Sequence, residues 1–305
     1  MNGAVLPPDV ALTSGRSAPG PVAAILAPMS DTRPIGVFDS GVGGLTVLQQ
    51  LHSLLPGENL IYLADLVHFP YGPRYQHEVR EFALRIIDHL VSLDTKLVVV
   101  ACNTATAAAL NVARERFDVP VVGVIAPGAQ AAASSTRNGR VAVISTEGTR
   151  ASAEYVHAIK EANPGVGVLG LAAPELVDIV EAGEADGPVA EATLARLLDE
   201  VTGWGADTLV LGCTHYPLLR GAIERALNGR RITVIDSAAT TADRVARILA
   251  VNRLGAGERA ASPPQLLVTA APRRFTATAE LLFGDALPEP TVVSLFEGVV
   301  AGAVL

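Results

Sequence analysis

Cysteine and lysine are the residue types whose scarcity excludes most in this sequence. Its 305 residues include only two cysteines, Cys102 and Cys213, and only two lysines, Lys96 and Lys160. Two cysteines cannot make a disulfide framework, and their spacing is not that of zinc ligands. We therefore expect two free thiols in a reducing compartment and no metal site.

Long hydrophobic runs and an excess of basic residues are also missing. No apolar run reaches the ~18 residues of a membrane-spanning helix, and the longest candidate, residues 97–110, is interrupted by Asn103, Thr104 and Thr106. The formal net charge of -8 disfavours nucleic acid as a partner, because phosphate binding needs a basic surface. With 50% hydrophobic and 18% charged residues, the chain can bury a large core.

The first 33 residues differ from the rest of the chain. They are rich in Ala, Pro, Gly and Ser and show no hydrophobic periodicity. The short apolar stretch at residues 22–26 has no basic region before it, which argues against a secretory signal peptide. We expect residues 1–33 to form a disordered N-terminal extension and the protein to be cytoplasmic.

From Arg33 onward, short apolar runs alternate with helical patterns, as in parallel α/β proteins. The runs are rich in Val, Ile and Leu, which favours strands covered by helices on both faces of a sheet. The predicted strands are residues 35–38, 60–63, 97–101, 121–125, 141–144, 166–171, 208–211, 232–235 and 265–268.

The second half of the chain repeats the strand ends of the first half. The matched pairs are Val37 with Val143, Tyr62 with Gly170, Val99 with Val210, and Gly123 with Val234. We infer an α/β fold of two similar doubly wound parallel-sheet domains that face each other across a cleft, related by a pseudo-two-fold axis. Residues 34–126 and 238–305 are assigned to the first domain and residues 127–237 to the second. Chance similarity between Val-rich strands is the alternative.

In open parallel sheets, functional residues collect at the carboxyl ends of the strands. Asp39 and Ser40 follow the first predicted strand, and Cys102 follows the third. Cys213 follows the corresponding strand of the second half. If the two domains face each other, the two cysteines therefore oppose one another across the cleft.

Residues 39–44 (DSGVGG) form a glycine-rich turn between a strand and a helix. Their spacing matches neither a dinucleotide-binding fingerprint nor a phosphate-binding loop. Such a turn can bind a carboxylate through backbone N–H groups and the helix N-terminus. A purely structural tight turn, with Asp39 capping the helix, is the alternative.

A single cysteine after a buried strand is usually an inert core residue. Two at matching positions of a repeat indicate a shared role, because inverting a stereocentre needs a base on one face and an acid on the other. Asp39 and His215 are candidate proton partners, although His215 could also be a satisfied, partly buried imidazole. A pyridoxal phosphate enzyme needs a Schiff-base lysine, whereas Lys96 begins a strand and Lys160 lies on a polar helix. We therefore expect no cofactor.

Further polar residues follow the second strand of each half. Residues 66–74 form a loop shaped by proline and glycine, in which Tyr71 and backbone amides could hold a small ligand. Glu175 and Glu181 follow the equivalent strand of the second half, where either could neutralise a substrate ammonium or face solvent. Arg74 and Arg150 are candidates for binding a carboxylate.

Four segments together resemble the glutamate racemase family of the aspartate/glutamate racemase superfamily. They are residues 36–46 (GVFDSGVGGLT), 69–72 (FPYG), 101–106 (ACNTAT) and 211–218 (LGCTHYPL), in the order that the family shows. The resemblance covers about residues 34–300 and implies two α/β domains, a substrate cleft between them and no cofactor. It also implies interconversion of L-glutamate and D-glutamate, with D-glutamate feeding peptidoglycan synthesis for the bacterial cell wall.

The resemblance also assigns roles to individual residues. It implies that Cys102 and Cys213 are the acid/base pair and that Asp39 and His215 assist them. The substrate contacts that it implies are Ser40, Tyr71, Gly72, Asn103, Thr104, Thr149, Thr214 and Glu181.

Two positions depart from the family pattern: Ser145 stands where Gly is usual, and Ala173 stands where many members have a further Cys. Three other functions remain open. They are a sister racemase acting on aspartate or another acidic compound, a thiol hydrolase using one cysteine with His215, and a binding protein on the same fold. The expected partner is a small-molecule substrate, glutamate, with no nucleic acid and no membrane; a homodimer is left open.

Overall fold

The Val-, Ile- and Leu-rich runs form two parallel sheets in the computed structural model, which describes residues 30–257, 261–283 and 288–296. The predicted N-terminal extension lies outside the described residues up to residue 29. The strands are β1 (Ile35–Asp39), β2 (Leu60–Ala64), β3 (Leu97–Val100), β4 (Val121–Gly123), β5 (Arg140–Ser145), β6 (Gly167–Ala172), β7 (Thr208–Gly212), β8 (Thr233–Asp236), β9 (Gln265–Val268) and β10 (Thr291–Val292). Every predicted strand is present, and β10 was not predicted.

Helices connect most of the strands, and a short 3-10 turn, Tyr216–Leu219, follows β7. The α-helices are α1 (Leu45–Leu54), α2 (Gln76–Ser92), α3 (Asn103–Arg116), α4 (Ile125–Ser135), α5 (Glu147–Ser152), α6 (Glu154–Ala162), α7 (Glu175–Glu181), α8 (Pro188–Gly203), α9 (Arg220–Leu227), α10 (Ser237–Asn252) and α11 (Pro272–Phe283). Among the described helices, none is both long and apolar enough to cross a membrane.

The two sheets share one strand order. The first sheet runs β10-β9-β2-β1-β3-β4 and the second runs β6-β5-β7-β8, so β5 to β8 take the places of β1 to β4. All pairings in both sheets are parallel. The predicted fold of two similar doubly wound parallel sheets is confirmed. We call each sheet with the helices packed on it the first unit and the second unit.

Three of the four predicted strand matches are in register, and the fourth is wrong by two residues. Val100 of β3 pairs with Gly123, whereas the equivalent Leu211 of β7 pairs with Asp236. Gly123 therefore corresponds to Asp236, not to Val234. A shift of two residues keeps the same side chains on the same face of a sheet, so the hydrophobic pattern could not reveal it.

Alternation along β3 determines where its cysteine lies. Leu97, Val99 and Ala101 pack in the core under α1 and α10, while Val98, Val100 and Cys102 pack in the core under α2 and α3. These strand side chains are buried, and each full burial contributes about 1.5–3 kcal/mol. The same alternation along β7 places Cys213 in the core of the second unit with Leu209 and Leu211.

Lys96 lies at the opposite edge of the first sheet from Cys102. It directly precedes β3, and its buried ammonium pairs with the carboxylate of Glu58. The same ammonium donates to the carbonyl of Asp31 at 2.6 Å. This buried ion pair lies at the amino edge of the sheet, at the opposite end of β3 from Cys102.

Candidate active site

The carboxyl ends of strands from both sheets meet at one small cavity between the two units. The predicted site residues that line it are Ser40, Tyr71, Gly72, Cys102, Asn103, Thr104, Cys213, Thr214 and His215. Phe69, Pro70, Thr146 and Val177 complete the lining and were not predicted. The cavity has a volume of about 20 Å³, which is room for about one water molecule. The two units are therefore closed on each other.

Three predicted site residues lie directly behind this lining. Asp39 accepts a hydrogen bond from Oγ1 of Thr214 at 3.5 Å. Oγ1 of Thr149 lies 3.2 Å from Oγ1 of Thr104. Glu181, predicted as a substrate contact, instead uses its carboxylate on His215 and Arg274. Its two oxygens are thus occupied by protein groups, and its contact with the cavity runs through His215.

Cys102 joins β3 to α3 and caps that helix. Its Sγ accepts a hydrogen bond from the backbone N–H of Ala105 at 3.5 Å and donates to Oγ of Ser40 at 3.9 Å. Burial, together with the negative charge of Asp39, raises the pKa of the Cys102 thiol well above its usual range, because both disfavour the thiolate. Cys102 is therefore held as a thiol in the closed cavity.

Asp39 ends β1 and is fully buried. One oxygen accepts hydrogen bonds from the backbone N–H groups of Gly41 and Gly44, both at 3.1 Å. Burial raises the pKa of Asp39, against the lowering effect of His215 and of those two N–H groups. A carboxyl group with a raised pKa can exchange a proton with a neighbouring thiol.

Cys213 is assisted by an imidazole. Nδ1 of His215 lies 3.8 Å from Sγ of Cys213, and Nε2 lies 2.8 Å from Oε1 of Glu181. Burial opposes protonation of the ring, but hydrogen bonds to Cys213 and Glu181 and the charge of Asp39 outweigh it and raise the pKa of His215 to about 10. The imidazole of His215 is therefore held protonated beside Cys213.

The glycine-rich turn brings the two units into contact. A Cβ atom at Gly43 would lie 2.5 Å from Oγ1 of Thr214 and 2.6 Å from Nδ1 of His215, closer than real side chains approach, so only glycine fits. Oγ1 of Thr46 also donates to the carbonyl of Thr214 at 3.2 Å. Of residues 39–44, only Ser40 lines the cavity.

Asn103 offers an unused hydrogen-bond donor to the cavity. Its Oδ1 accepts from the hydroxyl of Tyr155 at 2.8 Å, which orients the side-chain amide. Its Nδ2 is buried and has no hydrogen-bond partner among the described residues. Buried donors without partners are rare in folded proteins, so this N–H group is suited to a ligand.

Tyr71 lines the cavity with its ring rather than its hydroxyl. The hydroxyl donates to Oδ2 of Asp65 at 2.6 Å, and the same oxygen lies 2.8 Å from Nδ1 of His68. Gly72 follows at the unit boundary, where its carbonyl accepts from the backbone N–H of Gly148 at 3.1 Å. The loop predicted to hold a small ligand is thus braced by Asp65, a buried carboxylate that was not predicted.

Threonines from both units form a hydroxyl cluster on another wall. Oγ1 of Thr104 lies 2.9 Å from Oγ1 of Thr146, and Thr146 donates to Thr149 at 3.1 Å. Thr104 belongs to α3 of the first unit, whereas Thr146 and Thr149 flank the start of α5 in the second. Hydroxyl groups can accept or donate, so this cluster can adapt to a carboxylate.

No arginine or lysine belongs to the lining described for the cavity. The two arginines that were candidates for binding a carboxylate lie elsewhere. Arg150 pairs with Glu147 on the surface, and Arg74 donates to the carbonyl of His68 at 2.6 Å. Glu175 pairs with Arg196, also on the surface. A substrate carboxylate in this cavity would meet neutral donors, namely hydroxyl groups, the Asn103 amide and backbone N–H groups.

Two residues that matter at the site were missed in the sequence. Asp65 directly follows β2, so the rule that singled out Asp39 after β1 could have found it. Arg274 is 93 positions from Glu181 in the chain, and no local pattern marks it. Among the described residues, no cluster of His, Cys, Asp and Glu side chains could hold a metal ion.

Comparison with known proteins identifies the class. Residues 35–245 match the Asp/Glu/Hydantoin racemase family. A glutamate racemase of Corynebacterium diphtheriae is 44% identical over 265 residues, which are 87% of this chain and 98% of that protein. The chain therefore belongs to the Asp/Glu/hydantoin racemase family, and its predicted resemblance to glutamate racemases is confirmed.

Solved structures agree with this assignment. A glutamate racemase isoform from Bacillus anthracis superposes with a TM-score of 0.81 at 37% identity, covering 86% of this chain and 97% of that one. Glutamate racemase from Francisella tularensis in complex with D-glutamate also has a TM-score of 0.81, at 30% identity, and covers 87% of this chain and 98% of that one.

Proposed function

We propose that this protein interconverts L-glutamate and D-glutamate by proton transfer at Cα, with Cys102 and Cys213 as the acid/base pair. The observation that carries the proposal is that two buried thiols, one from each unit, line a single cavity. Relatives at 44% identity over nearly their whole length are glutamate racemases, which supports the choice of substrate.

The proposed reaction needs no group beyond the two thiols and their neighbours. The thiolate of one cysteine removes the α-proton from one face of Cα, and the C–H electron pair remains on a planar carbanion. The thiol of the other cysteine then donates its proton to the opposite face. The first cysteine ends as a thiol and the second as a thiolate, so the reverse direction starts from the exchanged protonation states.

Asp39 and His215 assist different thiols in this scheme. Burial and the charge of Asp39 together raise the pKa of Cys102, and Asp39 assists proton transfer on that side. His215 contacts Cys213 through Nδ1 and assists proton transfer on the other side.

Neutral donors would bind the substrate carboxylates. The orphan Nδ2 of Asn103 and the hydroxyl groups of Ser40, Thr104, Thr146 and Thr214 around the cavity are suited to this role. Glutamate does not fit a cavity of about 20 Å³, so the units must separate for the substrate to enter and close around it.

The domain boundaries inferred from the repeat belong to the same proposal: residues 34–126 and 238–305 form one domain, and residues 127–237 form the other. Support comes from α10, whose Ala238 and Val245 pack in a core of the first sheet. The D-glutamate product would supply peptidoglycan synthesis in the cytoplasm.

The decisive experiment follows L-glutamate with the purified full-length protein in deuterium oxide. We expect optical rotation to decay to zero while deuterium from solvent appears at Cα, as measured by polarimetry and proton NMR. Retention of both the rotation and the α-proton contradicts the proposal. A parallel assay with L-aspartate tests the sister-racemase alternative, and a covalent acyl adduct in the mass spectrum would indicate a thiol hydrolase.

Substitution of each cysteine tests the pair. Cys102→Ala and Cys213→Ala should each abolish racemisation, because each removes the acid or base from one face of Cα. Cys102→Ser and Cys213→Ser keep the shape of the side chain but replace the thiol with a hydroxyl, a much weaker acid. These variants should retain at most a trace of activity. Full activity in either alanine variant would contradict the two-thiol scheme.

A further inference from the structure

Arg274 of the first unit reaches across to the second unit beside the candidate site. It lies in the first turn of α11, next to Phe275, which is fully buried and stacks on Tyr62 with ring centroids 5.9 Å apart. Phe275 anchors this end of the helix in the core of the first unit. The position of Arg274 is therefore set by the packing of its neighbour.

The guanidinium of Arg274 binds the carboxylate that holds His215. Its Nη2 and Nε donate to Oε2 of Glu181 at 2.5 and 3.0 Å. The other oxygen of Glu181 lies 2.8 Å from Nε2 of His215, whose Nδ1 lies 3.8 Å from Sγ of Cys213. A continuous chain of contacts thus runs from a surface arginine to a buried thiol.

Burial makes this contact stronger than an ordinary surface pair. The side chain of Glu181 is 8% exposed, while that of Arg274 is 50% exposed. The guanidinium also lies over the ring of Phe69, 5.4 Å from its centroid, and Phe69 lines the cavity. Two charge-assisted hydrogen bonds to Oε2 hold one oxygen of this buried carboxylate in place, so Arg274 helps to orient Oε1 toward His215.

We propose that Arg274 is a positioning residue for Cys213, acting through Glu181 and His215 and only when the two units are closed. The inference rests on the proposed function, because it assigns Arg274 to one of the two proton-transfer thiols. Since Arg274 belongs to the first unit and Glu181 to the second, separating the units breaks the contact. Closure around a substrate would therefore complete the alignment of His215 on Cys213.

The test compares Arg274→Ala and Arg274→Lys with Arg273→Ala in the full-length protein. Arg273 carries the same charge one position earlier, is exposed, and has no ion pair among the described residues. We expect kcat of Arg274→Ala to fall about tenfold, the size of one charge-assisted hydrogen bond, with KM nearly unchanged. Arg274→Lys should recover part of the loss, and Arg273→Ala should behave as the unchanged protein.

A primary isotope effect identifies which thiol is affected. With glutamate deuterated at Cα, the isotope effect on Arg274→Ala should rise for the enantiomer whose proton Cys213 removes, and not for the other. Glu181→Gln should raise the isotope effect for the same enantiomer. The double variant of Arg274→Ala and Glu181→Gln should lose little more kcat than either single variant, because both residues act through one chain of contacts.

Several results would overturn the inference. Unchanged kcat in Arg274→Ala, an equal loss in Arg273→Ala, or a rise for both enantiomers each excludes a specific action on Cys213. A fall caused by unfolding would show as a lowered melting temperature in Arg274→Ala and no recovery in Arg274→Lys. Lack of racemisation by the unchanged protein would instead contradict the proposed function, which distinguishes the two failures.

Discussion

The Cys102 side and the Cys213 side of the cavity begin from equivalent strands but differ in the residues after each cysteine. Cys102 caps α3, a helix of 14 residues, and its Sγ accepts a backbone hydrogen bond from that helix. Cys213 is followed by Thr214, His215 and a 3-10 turn of 4 residues. Because no long helix starts at Cys213, the chain can turn there and place the imidazole of His215 beside the Cys213 thiol.

The two sides also differ in charge. Cys102 is next to a buried carboxylate, Asp39, which disfavours its thiolate, whereas Cys213 is next to an imidazole whose pKa is raised to about 10. The repeated fold thus places the two thiols at equivalent positions, but their charged neighbours differ: a carboxylate near Cys102 and an imidazole beside Cys213.

The two sides share one feature, which is that each is braced by the opposite unit. Thr214 of the second unit donates to Asp39, and Tyr155 of the second unit orients Asn103. Arg274 of the first unit binds Glu181 behind His215. Both thiols therefore reach their full set of neighbours only when the units are closed.

Among the substitutions that test the difference between the two sides, those at the two assisting residues should have the largest effect on kcat. His215→Gln and Asp39→Asn should each lower kcat by about 10²–10⁴, the usual contribution of a positioned acid or base. With Cα-deuterated glutamate, each variant should raise the primary isotope effect for one enantiomer, and the two variants should do so for opposite enantiomers. The same enantiomer in both cases would show that the residues do not serve separate thiols.

The pH dependence of the free energy of unfolding should show whether His215 is protonated in the folded protein. The pKa of His215 is raised from 6.5 to about 10 on folding, so protonated His215 stabilises the fold fully below pH 6.5, and this contribution is lost as pH rises through about 10. Between about pH 6.5 and 9 the free energy of unfolding should fall by up to about 3 kcal/mol.

Urea unfolding at several pH values, with His215→Gln as the matched variant, measures this effect. His215→Gln should show a nearly flat profile over that window, because its side chain does not titrate. Asp39 also has a raised pKa, so its contribution is lost as pH rises above 3.8, and Asp39→Asn should change the acidic part of the profile instead. Identical slopes in the unchanged protein and His215→Gln would refute the charged imidazole.

Local patterns in the sequence predicted the framework, and together with the family resemblance they predicted most of the lining. Apolar runs ended where strands end, and the polar residues after them, Ser40, Cys102 and Cys213 among them, lie together at the carboxyl edges. The match between β4 and its counterpart β8 was wrong by two residues, because such a shift leaves the pattern of apolar faces unchanged, and β10 was not predicted.

Contact between distant segments could not be predicted from the sequence. Arg274 meets Glu181 only because Phe275 is buried against the first sheet, and nothing in residues 272–283 indicates this partner. Glu181 was predicted as a substrate contact because it follows the right strand, but its orientation depends on His215 and Arg274. The turn that contains Gly43 was interpreted either as a carboxylate-binding loop or as a structural turn, and in the structure Gly43 provides space for His215.

Gly43→Ala should separate the two units slightly and so disturb both sides at once. The added methyl would clash with Thr214 and His215, and displacement of reacting groups by about 1 Å can cost about 10² in rate. Gly203→Ala is the control, since nothing lies within 4 Å of a Cβ atom there; it should leave kcat unchanged. Steady-state kinetics of both variants would decide, and normal activity in Gly43→Ala would mean that the close approach is not needed.

The smallest effect should come from Tyr155, which orients Asn103 beside Cys102 from the opposite unit. Tyr155→Phe removes the hydroxyl that donates to Oδ1 of Asn103 at 2.8 Å and leaves the buried ring in place. Loss of one neutral hydrogen bond costs about 0.5–1.5 kcal/mol, so KM for glutamate should rise by a few fold as the amide loses its orientation.

Tyr75→Phe makes the same chemical change on an exposed side chain, since Tyr75 is 75% exposed, and should leave KM unchanged. The two variants differ from Arg274→Ala in kind, because Tyr155 acts on a substrate contact and Arg274 on a proton-transfer group. A rise in KM for Tyr155→Phe with kcat preserved, beside a fall in kcat for Arg274→Ala with KM preserved, would show that the cross-unit contacts have separate tasks. If Tyr155→Phe lowered kcat alone, Asn103 would have to be assigned to proton transfer at Cys102 instead of substrate binding.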